Sequence, residues 1–102
     1  MKTKPIPHAL QSVLWSADIN HLDLEKDKGY IIHQILSYGG LDEIRWLFMI
    51  YTENEITNIF ISVPYKDYFP ARFHYVKNMM LHLQDKKLDS RLYVKNTPRY
   101  LG

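Results

Sequence analysis

Between Ile31 and Phe60 apolar residues return every three or four positions, and the rhythm breaks at Gly39-Gly40 and again at Thr52-Glu53-Asn54-Glu55. A period near 3.6 with such breaks commits the stretch to short amphipathic helices joined by tight connections. The helix ahead of the glycines starts at Asp23 and carries Leu24, Ile31, Ile32, Ile35 and Leu36, with Asp23, Glu25 and Asp27 where a helix dipole favours negative charge. Gly29 costs it about 1 kcal/mol against alanine. Gly39 or Gly40 stops it through the left-handed conformation that glycine tolerates. Leu41, Ile44, Leu47, Phe48 and Tyr51 make the next helix, and Trp46, Met49 and Ile50 widen its stripe almost all round, as a central helix requires. Thr52 and Glu55 then form a capping box, the threonine oxygen taking one orphan amide while the glutamate reaches back to the Thr52 amide. Behind it Ile56, Ile59, Phe60 and Val63 keep helical spacing. Ile59, Ile61 and Val63 also alternate as in a strand; the helix is the reading adopted, and Pro64 ends it.

The flanks follow the same rules. Ile6, Leu10, Val13 and Leu14 share a face in a first helix from Pro5 to Trp15, and Ser16 to His21 is a polar connection. Pro70 suits the first turn of a fifth helix, with Phe69, Phe73, Val76, Met80 and Leu83 lined up against the central one. After Gln84 the pattern fails, leaving Leu88, Leu92, Tyr93, Val94, Tyr100 and Leu101 as anchors; Arg91 to Lys95 would make a short strand that lacks a partner. The expectation is a mainly α protein, a compact bundle of about five short helices with an irregular or short-strand C-terminal tail. Residues 1–84 form the helical domain, and 85–102 a basic tail packed on it or extending from it. A chain of 102 residues, 46% hydrophobic, supports one core. No apolar run approaches a membrane span and none follows Met1 in the manner of a signal peptide, so a soluble, cytoplasmic protein without membrane contact is expected.

Chemistry-bearing patterns are sparse. The absence of cysteine removes disulfides, thiolate metal sites and a cysteine nucleophile. Asp18, Asp23 and Asp27 lack a short Asp-x-Asp pair and read as capping residues rather than metal ligands. The five histidines include no His-x-x-x-His pair, no serine sits in a Gly-x-Ser-x-Gly elbow, and Gly39-Gly40 is not a phosphate-cradling loop. No catalytic residue, metal site or cofactor is expected, and the protein is expected not to be an enzyme.

Charge is uneven. Residues 1–51 hold five basic and six acidic groups, and 52–102 hold eight and five. Lys86, Lys87, Arg91, Lys95 and Arg99, interleaved with Tyr93 and Tyr100, would suit phosphates and stacked bases. A solvated tail explains the same letters and is preferred, with nucleic-acid binding as the alternative. Eight tyrosines, four phenylalanines and two tryptophans exceed what a small bundle must bury. Trp15, Tyr30, Tyr38, Trp46, Tyr65, Tyr68 and Tyr75 are therefore candidates for an interface, and aromatics left exposed would also favour a homodimer.

Leu14-Trp15-Ser16-Ala17-Asp18, then Leu22-Asp23, Ile31-Ile32, Ile35-Leu36, Tyr38-Gly39 and Arg45-Trp46-Leu47, resemble a family of small bacterial helical proteins of unknown function with a Leu-Phe-Trp-Asp-like motif. The likeness covers roughly residues 10–63. Ser16 stands where an aspartate is usual and Gln34 where an arginine is usual. Such proteins are often encoded beside nucleotidyltransferase-like toxins of the abortive-infection type. The resemblance thus implies an antitoxin, a non-catalytic module that binds and neutralises a cognate toxin. Trp15, Asp18, Trp46 and Tyr51 are the partner-contacting residues it points to.

Overall fold

The computed structural model describes residues 8–15, 18–66 and 68–95. Its α-helices are α1 (Lys28–Tyr38), α2 (Leu41–Ile50), α3 (Glu53–Ser62) and α4 (Pro70–His74), the last running straight into a π-helical turn, Tyr75–Met80. Short 3-10 turns occupy His8–Ser12, Ile19–His21 and Ser90–Leu92. The mainly helical class stands, but four α-helices are found among the described residues where about five were expected. The difference lies at the start. The described part of the first helix is a 3-10 turn that ends at Ser12, too short a segment to hold an α-helix on propensity alone. It is pinned instead by the buried Leu14 and by the Gln34 amide, which donates to the Val13 carbonyl at 3.0 Å.

Helix α1 begins at Lys28, not Asp23. The Asp23 carboxylate accepts the amides of Glu25 and Lys26 at 2.8 and 2.9 Å, and Asp27 takes the Asp23 amide at 2.8 Å. Those acids close a turn on itself rather than charge a helix terminus. The two backbone amides hold the Asp23 carboxyl below its ordinary pKa. At the other end Gly39 stops the helix in an extended conformation, φ −71° and ψ 151°, not the left-handed one expected. Space is what selects glycine there, since a Cβ would lie 2.7 Å from the Ile35 carbonyl oxygen.

The central helix is α1, correcting the assignment to residues 41–51. Every residue from Ile31 to Ser37 is buried, whereas α2 buries Leu47 fully and leaves Leu41 and Met49 exposed. Helix α1 wins the centre because α2, α3, the N-terminal turn and the C-terminal segment all pack on it, leaving α2 covered on one side. Helix α3 starts as read: Thr52 Oγ1 accepts the Glu55 amide at 3.1 Å and Glu55 accepts the Thr52 amide at 2.8 Å. It is helical through Ser62, with Val63 as its C-cap residue, so 56–62 is helix rather than strand.

Pro70 is the first residue of α4, and Phe73 and Val76 are buried, but the partner is not α2. Phe73 packs on Phe60 of α3 (6.1 Å between centroids) and on Tyr93 (5.0 Å). The helix widens to i−5 bonding, with the Leu81 amide on the Val76 carbonyl at 2.9 Å, and stops before His82, whose φ is 55°. The segment Arg91 to Lys95 makes one parallel bridge, Val94 to Tyr68, and no strand forms among the described residues. That bridge seats Tyr93, 1% exposed, in a ring cluster with Phe60, Tyr68 and Phe73.

Candidate interaction surface

Two helix ends and the bridge converge at one place on the surface. Arg72 of α4 donates from Nε to the Leu36 carbonyl at 2.7 Å and from Nη2 to the Gly39 carbonyl at 2.5 Å. The cation thereby satisfies orphan carbonyls at the negative end of α1 and draws the start of α4 against it. Tyr38, the last residue of α1, and Phe69, the N-cap residue of α4, then meet edge to face at 6.4 Å. Trp15 also packs edge-on against Tyr38, at 4.7 Å. The Tyr68 bridge places Lys95 so that its Nζ lies 5.2 Å from the Tyr38 ring centre and 5.0 Å from that of Phe69.

The result is a continuous patch of three rings and one ammonium group. Trp15 is 56% exposed and Phe69 54%, while Tyr38 and Lys95 are half-buried. A cation held over aromatic faces is worth about 0.5–2 kcal/mol and fixes the rings beneath it. Rigid rings offer a large apolar contact at small entropic cost, and the ammonium adds a positive charge at their centre. Such a surface suits a protein partner that brings an apolar side chain and an acidic group.

Of the residues expected to contact a partner, Trp15 belongs to this patch. Asp18 is exposed and caps the following turn, accepting the Asn20 amide at 3.0 Å and meeting His21 Nδ1 at 3.0 Å. Trp46 is half-buried on α2 and packs against the core. Tyr51 is buried, and its hydroxyl donates to the Leu24 carbonyl at 2.6 Å. Burial first, then the carboxylates of Glu25, Glu55, Asp23 and Asp27, raise its pKa well above the usual phenol value. The four do not form one surface, because Trp15 packs at the C-terminal end of α1 and Tyr51 packs beside Leu24 and Lys28 at its beginning.

The basic residues are also divided. Lys86 and Lys87 are exposed. Arg91 holds Asp89 through Nε and Nη2, both at 3.1 Å, which lowers the aspartate pKa and raises that of the guanidinium. Lys95 lies over the rings, and Arg99 lies outside the described residues. Phe69, expected on the buried face of the helix, is exposed; its position just ahead of Pro70 at the first helical turn is the signal that it stands off that face.

A family model described as "Family of unknown function (DUF6922)" matches residues 10–60. The matched half runs from the N-terminal turn through α1 and α2 to Phe60 in α3, so Trp15 and Tyr38 fall inside it and Phe69 and Lys95 outside. No curated protein and no solved structure matches the chain.

Proposed function

We propose, for a chain that belongs to the family of unknown function DUF6922, a role as a non-catalytic protein-binding module: an antitoxin that occupies the surface of a cognate bacterial toxin. The observation that carries the binding role is the exposed Trp15–Tyr38–Phe69–Lys95 patch, an ordered aromatic surface of the kind that concentrates binding energy. The toxin as partner rests on the resemblance of the Leu14 to Asp18 and Arg45 to Leu47 segments to proteins encoded beside nucleotidyltransferase-like toxins. Of the other residues the resemblance points to, Asp18 is exposed, Trp46 is half-buried on α2, and Tyr51 is buried at the opposite end of α1, so the patch rather than this set carries the binding role.

Binding through the basic C-terminal segment to nucleic acid is the weaker reading, since Arg91 is held by Asp89 and Lys95 by the rings. The test is co-expression with the product of the neighbouring gene in a growth assay. Wild-type protein restores growth and co-purifies with that product, and Trp15→Ala with Phe69→Ala abolishes both while leaving the fold intact. A neighbouring product whose toxicity is unaffected by the wild-type chain overturns the antitoxin role. Recovery of nucleic acid alone, with affinity falling steeply as salt rises, overturns the protein-binding role in favour of the basic segment.

A further inference from the structure

The outward face of α2 is the second surface of this molecule, and its chemistry fits a copy of itself. Leu41, Asp42, Arg45 and Met49 are exposed along one stripe, and the half-buried Phe48 and Trp46 border it on either side. Leu41 and Met49 reach 67% and 79% exposure, so this face is apolar except for one anion and one cation. Asp42 and Arg45 stand one turn apart on that stripe, and neither forms an ion pair within the described residues. In an antiparallel helix pair related by a two-fold axis, such positions face each other reciprocally.

We propose that the chain forms a two-fold symmetric dimer through antiparallel pairing of α2, in which Asp42 of each copy faces Arg45 of the other and Leu41 and Trp46 close over the two ion pairs. The two-fold axis then passes between Glu43 and Ile44. A register centred on Arg45 sets two guanidinium groups against each other and is excluded by repulsion. The face is self-complementary in both respects that matter, apolar area and charge. A stable dimer usually buries about 800 Å² per partner, roughly an eighth of the 6344 Å² surface of this chain, so α2 supplies its centre and the association is concentration-dependent.

The surface is distinct from the Trp15 patch, and the experiment needs neither toxin nor nucleic acid. Sedimentation equilibrium of the full chain is measured across a concentration series for wild type, Asp42→Arg, Arg45→Asp and an equimolar mixture of the two variants. The wild type dimerises; each variant alone, carrying like charges at both contacts, dissociates at least about tenfold more readily; the mixture regains pairing because both contacts are again opposite in sign. Circular dichroism confirms that both variants remain folded, as expected for exposed positions. A wild type that stays monomeric throughout overturns the proposal. So does a dimer indifferent to both charge reversals, or a mixture that fails to recover.

Discussion

His33 is buried with both ring nitrogens engaged. A carbonyl can only accept, so Nε2–H donates to Val63 at 2.6 Å, and Nδ1 takes the Tyr68 hydroxyl at 2.7 Å. One imidazole thus joins α1, the end of α3 and the bridge residue, while stacking on Tyr65 at 5.2 Å. His33→Leu removes the acceptor of the buried Tyr68 hydroxyl and the donor to the part-buried Val63 carbonyl, for which the expected loss is about 1–3 kcal/mol in urea unfolding. A loss below experimental error would contradict the role. Ser37 is the opposite case: its hydroxyl is buried and finds no hydrogen-bond partner among the described residues. Ser37→Ala removes that orphan and improves helix propensity, so it should stabilise by about 0.5–1 kcal/mol. A drop in melting temperature would show that the hydroxyl is satisfied after all. Neither role is legible from the letters His33 and Ser37, which sit in α1 like any other polar residue; the groups they meet, or fail to meet, come from other segments.

At the scale of elements, the start of α3 is local and its end is not. Thr52 and Glu55 cap within four residues, which is why the motif can be read directly. Thr52→Ala should cost about 1 kcal/mol. The Thr52 amide first, and then Lys28, hold the Glu55 carboxyl below its ordinary pKa of 4.5. A depressed folded-state pKa means that this stabilisation is complete above the ordinary value and is lost as pH falls through the folded one. Wild type should therefore lose more stability than Glu55→Gln as the pH is lowered from neutrality through 4.5, measured as unfolding midpoints; parallel acid profiles would refute it. The C-terminal turns, by contrast, are satisfied from far along the chain: Arg72 at the end of α1, and at the end of α3 the Tyr93 hydroxyl, which donates to the Phe60 carbonyl at 2.6 Å. Arg72→Met should cost about 1.5–3 kcal/mol, the range for hydrogen bonds from a charged donor, and loosen Phe69 from Tyr38. Unchanged stability and unchanged ring contacts, read by nuclear magnetic resonance, would count against this capping.

For the whole molecule, the C-terminal segment changes how the basic residues must be tested. Removing residues 86–102 would take Tyr93 out of the ring cluster as well as remove the charges. Tyr93→Ala alone should cost about 3–5 kcal/mol, and Tyr93→Phe about 1 kcal/mol for the hydroxyl, by equilibrium unfolding. Near-wild-type stability of Tyr93→Ala would mean that the cluster does not hold the segment. Lys86→Gln with Lys87→Gln, both exposed, separates charge from packing. Such a variant keeps its fold, and on the antitoxin reading it keeps toxin binding too; loss of nucleic-acid retention in that variant alone would identify the basic segment as a contact.

The helical class, the capping box at Thr52 and the first turn at Pro70 are legible in the chain's letters, because each is written in residues a few positions apart. Those letters misplaced the centre of the fold: α2 has the more apolar letters, yet α1 is the helix the other elements surround. Burial is decided by what covers a face, and coverage depends on the whole path of the chain. The tertiary structure also decided that Tyr93 is core, that Phe69 is surface, and that Trp15, Tyr38, Phe69 and Lys95 stand together. The hydrogen bonds that enforce this join residues 30 to 36 positions apart, His33 to Val63, Phe60 to Tyr93 and Leu36 to Arg72. No periodicity or spacing rule reaches across such a distance; only the packed chain brings those donors and acceptors within 3 Å.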